Sequence, residues 1–341
     1  MIKIAVLSNS PGSANTILPI VNLLNERLTI HFDLFLCPVS KKKIPKINNS
    51  TLFSISEVYI ASFDYDLIVT GTSYPPTTEI FTWKKAKRFS VPTIAMIDQW
   101  LNYLERFEVS NQQLVEESLP DLITTIDNFG KSEMKALGFP GVKILSVGSP
   151  YLDTIPNANS ANKALNKKNK LEILFVSEPR SLENELNHGY DEFSILEHFI
   201  IAINEQPHSI DFNIKIKPHP RNSKESFKNF IQKHNNQNIS IEDKLSPRES
   251  ISNSDIVIGM SSMMLVESVL MGKPTMSIQI GLNGIDPFIL SRMKVMNTAL
   301  SRDEILLNLN LILEGFSVKW EKPKNNIESL YSWITSKLNT N

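Results

Sequence analysis

The stretch "FNIKIKPHPRN", residues 212–222, ends an alternating apolar strand with three side chains suited to binding anions. Lys217 and Arg221 are cations, and His219 between them can donate hydrogen bonds. A proline on each side of the histidine removes a backbone donor and fixes φ, so the strand ends here and the preceding residues are held extended. The pattern predicts a rigid turn that presents the imidazole to a phosphate. The alternative interpretation is a surface turn in which the histidine is incidental.

A second stretch, "GMSSMMLVE" at residues 259–267, predicts a strand that stops at Met260 and a helix that opens with Ser261 and Ser262. A helix N-terminus presents free N–H groups and the positive end of the helix dipole, which together favour an anion. The two hydroxyls add further donors. The alternative is simple N-capping by Ser261, with no ligand.

Other predicted strands also end in polar residues. In the second half, "EILFVSEP" carries Ser177 and Glu178 near its carboxyl end, and "PTMSIQIG" carries Gln279. In the first half, "TIAMID" ends in Asp98, and the residues that follow "IKIAVLS" and "DLIVTG" are Ser10, Gly12, Asn15, Thr72 and Ser73. The set is rich in ligands for phosphate and sugar and poor in metal ligands, so we expect neither a metal nor another cofactor.

The elements that position these residues alternate between strand and helix, which predicts βαβ units and parallel sheets in an α/β protein. The alternation predicts two Rossmann-like domains that face each other across a cleft. We place a first domain at 1–156, a linker at 157–170 and a second domain at 171–322. The helix at 323–341 is expected to pack back on the first domain. Ligands of such sheets bind outside the carboxyl ends of the strands.

Composition excludes several classes of function. The chain has 341 residues and a net charge of −1, which gives no basis for binding nucleic acid. Cys37 is the only cysteine, so an internal disulfide is excluded. The sequence has neither a signal-peptide pattern nor a run of 18 apolar residues, and we expect a cytoplasmic protein. The basic stretch "SKKKIPK" is interpreted as a solvated loop, with peripheral contact to anionic inner-membrane lipid as the alternative.

The His-Pro pair after one strand and the Ser-Ser pair opening a helix resemble motifs of the GT-B glycosyltransferases that use CMP-activated acidic sugars. These are the bacterial sialyltransferases and polysialyltransferases, with related Kdo-type enzymes. The resemblance implies that His219, Ser261 and Ser262 bind the CMP phosphate. The same pairing is similar to that of glycerophosphotransferases using CDP-glycerol. The resemblance to the CMP-sugar enzymes implies an inverting, metal-independent transferase of surface-glycan synthesis, with a nonulosonic acid as the donor sugar.

That family has an acidic pair followed by glycine at the end of a strand in the first domain, and its carboxylate is the general base. Asp98 in "TIAMIDQW" occupies the acidic position, whereas Gln99 and Trp100 depart from the second acid and the glycine. N-capping of "WLNYLERF" is the alternative role for Asp98. Glu79 and Asp127 are the rival carboxylates.

We therefore expect donor binding by the second domain, through Ser177, Glu178, Lys217, His219, Pro220, Arg221, Ser261, Ser262 and Gln279. His219 and Asp98 are the expected catalytic residues. The first loop, "NSPGSAN", resembles that of many GT-B enzymes, and we expect acceptor binding by Ser10, Gly12, Asn15, Thr72, Ser73 and Arg106. For Arg106 a surface ion pair with Glu105 or Glu108 is the alternative role.

The expected partners are a nucleotide-sugar donor and a glycan or lipid-linked acceptor. Three alternatives remain open: a UDP-sugar GT-B transferase, an enzyme like UDP-GlcNAc 2-epimerase, and a nucleotide- or sugar-binding protein without activity. The Asp-x-Asp pattern of Asp64 and Asp66 precedes its strand, away from the ligand edge, so we reject it as a metal site.

Overall fold

The computed structural model describes residues 1–42, 47–156, 165, 169–182, 188–205, 210–234 and 238–338. The chain divides into two compact units. The first combines Met1–Thr154 with Pro323–Asn341, and the second is the continuous segment Ile155–Lys322. Most of the predicted linker, 157–170, lies outside the described residues, as does part of "SKKKIPK".

The first unit is built on a parallel seven-stranded sheet. The strands described in this unit are, in chain order, β1 (Ile2–Ser8), β2 (Ile30–Leu36), β3 (Ser50–Ser54), β4 (Leu67–Thr70), β5 (Thr93–Met96), β6 (Val109–Ser110), β7 (Gln113–Leu114), β8 (Leu122–Thr125) and β9 (Ile144–Ser146). The sheet order is β3-β2-β1-β4-β5-β8-β9, and β6 and β7 form a separate small hairpin. This is the doubly wound Rossmann order, whose direction reverses between β1 and β4.

Helices cover both faces of this sheet, which explains why its central strands are continuous buried apolar runs. The helices of the unit are α1 (Pro11–Arg27), α2 (Pro38–Lys41), α3 (Thr77–Arg88), α4 (Asn128–Ala136), α5 (Pro150–Asp153) and α12 (Ile327–Leu338). Leu330 and Ile334 of α12 belong to the same buried cluster as Ile4 and Val6 of β1. The C-terminal helix is thus part of the core of the first unit.

The second unit repeats the plan on a parallel six-stranded sheet. Its strands are β10 (Lys170–Val176), β11 (Asp211–Lys217), β12 (Ile239–Ile241), β13 (Ile256–Gly259), β14 (Thr275–Ile278) and β15 (Thr298–Ala299). Its helices are α6 (Glu192–Glu205), α7 (Lys224–His234), α8 (Pro247–Ser252), α9 (Met263–Leu270), α10 (Ile289–Arg292) and α11 (Arg302–Leu313). The order β12-β11-β10-β13-β14-β15 places β11 and β13 on either side of β10. The carboxyl ends of these three strands therefore meet at one edge.

Local sequence signals set several helix starts. Ser246 and Glu249 form a capping box at the start of α8, and the Ser301 side chain caps α11 by accepting from the Glu304 N–H. The short strands β3 and β15 were not predicted, since each lies at a sheet edge and carries little apolar pattern.

Candidate functional site

The carboxyl ends of β10 and β13 in the second unit are joined by a tight polar cluster. The backbone N–H of Ser261 donates to Oε2 of Glu178 at 2.6 Å, and the Ser261 hydroxyl lies 3.0 Å from Oε1. Arg180 Nη2 donates to both partners, at 3.1 Å to Glu178 Oε1 and 2.8 Å to Ser261 Oγ. An N–H, a hydroxyl and a guanidinium thus converge on one carboxylate. The arrangement is chemically suited to an anion.

Ser262, rather than Ser261, is the N-cap of α9, and its Oγ accepts from the Met264 N–H at 3.3 Å. The alternative in which Ser261 only caps the helix is therefore wrong. The Ser261 hydroxyl donates to the Glu178 carboxylate instead, because Ser261 lies one position before the cap.

The turn after β11 holds His219 in a defined orientation. The Arg221 N–H donates to Nδ1 of His219 at 3.1 Å. Because Nδ1 accepts, the proton of the neutral imidazole lies on Nε2, which makes Nε2 the donor nitrogen. The His219 N–H donates to Oδ1 of Asn222 at 3.1 Å, and the Asn222 N–H returns a bond to the His219 carbonyl at 2.8 Å.

Asn222 ties this turn to the next strand and to the core. Its Oδ1 also accepts from the Ser177 hydroxyl at 2.9 Å, and its Nδ2 donates to Oε1 of Glu192 at 2.7 Å. Glu192 is fully buried and also accepts from the backbone and hydroxyl of Ser181. The predicted donor residues Ser177, Glu178, His219 and Ser261 are thus connected through neighbouring strand ends.

The other predicted donor residues are placed differently. Pro220 and Arg221 are exposed on the turn, and half-buried Lys217 donates to the carbonyl of Leu245. Gln279 is fully buried, where its amide accepts from the Tyr190 hydroxyl and donates to Asp286, each at 2.8 Å. Those bonds give Gln279 a part in holding the loop at Asp286, and donor binding by Gln279 remains a prediction.

In the first unit the predicted base Asp98 forms a buried ion pair with Arg106. Arg106 Nη1 donates to Asp98 Oδ1 at 2.8 Å and to Thr72 Oγ1 at 2.7 Å. The side chain of Asp98 is 10% exposed and that of Arg106 is 6% exposed. The surface pairing of Arg106 with Glu105 or Glu108 is therefore wrong, since the guanidinium lies inside the unit. N-capping by Asp98 is also wrong, because only a short 3-10 turn, Leu104–Arg106, follows it.

Gly12 lies in the first turn of α1, directly beneath the other oxygen of Asp98. A Cβ at this position would stand 2.3 Å from Asp98 Oδ2, closer than real Cβ contacts come. The missing Cβ of Gly12 thus lets α1 approach a side chain of the same unit, and acceptor binding by Gly12 remains a prediction. Ser10 is the N-cap of α1 and accepts from the Ser13 N–H, and half-buried Asn15 lies one turn along the helix.

Glu79, the rival carboxylate, lies in the first turn of α3 and is only 2% exposed. Burial raises the pKa of Glu79, and the hydrogen bond with Ser73 and the charge of Arg106 offset that shift only in part. Its Oε2 has no hydrogen-bond partner among the described residues. A buried carboxyl with a raised pKa beside the Asp98–Arg106 pair is a candidate for proton transfer.

Asp127, the other rival, serves as a helix cap. Its side chain accepts from the Gly130 N–H at the start of α4 and from the Trp100 indole, each at 2.8–2.9 Å. Burial raises the pKa of Asp127. Asp66 accepts from the Lys3 backbone N–H at the amino-terminal side of β4. In the described part of the chain, no group of three metal-ligating side chains could hold an ion.

The sequence did not single out Arg180 or Asn222, and it named Glu79 only as a rival to Asp98 for the base. Arg180 and Asn222 each lie a few residues past the end of a strand, so strand-end patterning could have found them. The burial of Glu79 depends on packing across the sheet and had no local signal.

Comparison with solved structures confirms the predicted fold class, in which two Rossmann-like units form a GT-B-type protein. The UDP-GlcNAc 2-epimerase from Methanocaldococcus jannaschii is similar with a TM-score of 0.68 at 14% identity, over 98% of this chain and 100% of that one. The epimerase from Neisseria meningitidis bound to UDP-GlcNAc has a TM-score of 0.64 at 14% identity, over the full length of both chains. The Anabaena protein HepE, in complex with UDP and glucose, has a TM-score of 0.60 at 12% identity, over 100% and 98%.

A narrower similarity lies in one segment. The family model for alpha-2,8-polysialyltransferases matches residues 152–278, less than half of the chain. The match supports the prediction of a sialyltransferase-like glycosyltransferase. The comparison with curated proteins gave no match. Among the residues that the structure describes, none of the helices is both long and apolar enough to cross a bilayer.

Proposed function

We propose that this protein is a glycosyltransferase of bacterial surface-glycan synthesis that transfers a nonulosonic acid from a CMP-activated donor. The observation that carries the proposal is the polysialyltransferase match to 152–278, because that segment contains both the His219 turn and the Ser261 cluster. The acceptor is a hydroxyl of a glycan or of a lipid-linked sugar. Sugar transfer takes place in the cytoplasm, and the protein makes peripheral contact with the inner membrane.

The second unit is proposed to bind the donor. His219, with its proton on Nε2, donates to the phosphate of CMP, and Ser261, Ser262 and Arg180 supply further donors. Departure of CMP places negative charge on that phosphate, so donors fixed in advance by Asn222 and Glu178 stabilise the transition state. Hydrogen-bond donors of the protein stabilise this negative charge, and the reaction needs no metal.

The first unit is proposed to supply the base and the acceptor groups. Asp98 accepts the proton of the acceptor hydroxyl as that oxygen bonds to the anomeric carbon. The bond from that carbon to the CMP phosphate breaks, and CMP leaves with the electron pair. Attack opposite the leaving group inverts the anomeric centre. Arg106 orients Asp98 through the 2.8 Å ion pair.

A second candidate is a UDP-sugar enzyme, either a transferase or an epimerase. It is favoured by the similarity over the full chain to UDP-GlcNAc 2-epimerases. At 12–14% identity this similarity shows the fold alone.

Thermal shift with CMP, CDP, UMP and UDP separates the two candidates. A nucleotide at 100 times its Kd stabilises the native state by about 2.7 kcal/mol. We expect CMP to raise Tm more than UMP or UDP does, and a larger shift with UDP would overturn the donor assignment. His219→Ala should lose the CMP shift. Asp98→Asn should keep that shift and lose sugar transfer, and wild-type transfer by Asp98→Asn would exclude Asp98 as the base. Transfer should persist in EDTA.

A further inference from the structure

Glu178 places a negative charge inside the group of donors that the proposed function assigns to the donor phosphate. Its two carboxylate oxygens accept hydrogen bonds from the Ser261 N–H, the Ser261 hydroxyl and one nitrogen of Arg180. The Glu178 side chain is 14% exposed and that of Arg180 is 11% exposed, so water screens this charge poorly. An anionic ligand that binds to the same three donors would lie beside this carboxylate.

We infer that Glu178 selects the donor by the number of its phosphates, admitting a nucleoside monophosphate and disfavouring a diphosphate. The inference rests on the proposed function and deepens it. One cation, Arg180, balances Glu178 within the cluster. A diphosphate brings one more negative charge than the single phosphate of a CMP-sugar and places it near the carboxylate. Like charges a few ångströms apart at a partly buried site repel strongly.

A purely structural role for Glu178 makes a different prediction. If the carboxylate only held Ser261 in place, its loss would weaken every nucleotide by a similar factor. Glu178→Gln distinguishes the two roles, because the amide oxygen still accepts from the Ser261 N–H while the charge is removed. Glu225→Gln is the matched control, since it removes the same charge from an exposed position on α7.

The test compares the affinities of CMP, CDP and UMP by calorimetry in wild type and both variants. CMP and CDP share a base and differ in one phosphate, so their Kd ratio reports the selection that we assign to Glu178. We expect wild type to bind CMP more tightly than CDP. Glu178→Gln should shift the ratio toward CDP by about 10- to 100-fold, since each tenfold step is about 1.4 kcal/mol of repulsion removed. Glu225→Gln should leave the ratio unchanged.

An unchanged ratio in Glu178→Gln, or a wild-type preference for CDP, overturns the inference. The proposed donor is judged by a separate comparison, CMP against UMP in wild type, so the two failures are distinguishable. If Glu178→Gln does not fold, Glu178→Ala provides the test, because it removes the same charge and places no amide against Arg180. An unchanged ratio of the CMP and CDP affinities in Glu178→Ala refutes the inference.

Discussion

Gly12→Ala tests whether the position of Asp98 is what matters for transfer. The new Cβ would lie 2.3 Å from Asp98 Oδ2 and 3.5 Å from its Cγ, while ordinary contacts begin near 3.4 Å. The carboxylate must therefore move by about 1 Å away from α1, while its other oxygen, Oδ1, holds the ion pair with Arg106. A misplacement of about 1 Å costs about 100-fold in rate when it affects a reacting group.

Stability should change much less than activity. Alanine in a helix is favoured over glycine by about 1 kcal/mol, and overpacking costs about 1–3 kcal/mol, so the two effects partly cancel. Gly12→Ala should therefore fold with a similar Tm and keep its CMP-induced shift, yet transfer sugar about 100-fold more slowly. Gly141→Ala is the control, because its new Cβ would meet only the flexible end of Lys135.

A double-mutant cycle makes the test specific. In an Asp98→Ala background the overlap is gone, so adding Gly12→Ala should cause no further loss of transfer. The assay is CMP release from a CMP-activated acidic sugar in the presence of a glycan acceptor. If Gly12→Ala transfers at the wild-type rate, or if its loss is the same with and without Asp98, the reasoning is refuted.

Three further predictions concern buried charge. Burial raises the pKa of Glu79, so the native state holds the Glu79 proton more tightly than the unfolded chain does, and stability falls as pH rises above the ordinary value of 4.5. Between pH 5 and pH 8, the free energy of unfolding of Glu79→Gln in urea should therefore rise relative to that of wild type by about 1–2 kcal/mol. An equal difference between variant and wild type at both pH values would contradict this prediction. Arg106→Met should cost about 3–5 kcal/mol because Asp98 loses its buried partner, and adding Asp98→Leu should recover part of the loss in the same measurement. Asn222→Asp should destabilise the protein more than Asn222→Ala at pH 8, since it sets a second carboxylate against Glu192; a gap that persists at pH 4 would argue against charge as the cause.

The fold followed from patterns that act over short distances. Continuous apolar strands and capping residues such as Ser246 and Ser301 are read from neighbouring residues, and the structure has elements where these signals lie. The strands β3 and β15 escaped prediction because they pair at sheet edges, where little apolar surface is buried. Pairing there is decided by the neighbouring strand rather than by local sequence.

The candidate site was partly predictable for the same reason. Strand ends indicated His219, Ser261 and Asp98, and parallel strands bring such ends to one edge. For Arg106 the sequence left open both acceptor binding and a surface ion pair, because charge on a short polar segment gives no measure of burial. The pairing of Glu178 with Ser261 joins residues 83 positions apart, so only the tertiary structure shows that this carboxylate accepts from the Ser261 N–H.

The division of the chain has a consequence for how the protein is made. The second unit is one continuous segment, Ile155–Lys322, so all of it has been synthesised before the ribosome reaches α12. The first unit needs Leu330 and Ile334 for its core, although its other strands and helices are translated first. Since domains fold as units during synthesis, the second unit can finish folding before the first. Until α12 has been synthesised, the sheet of the first unit has an apolar face that its last helix does not yet cover, and a chaperone can bind there.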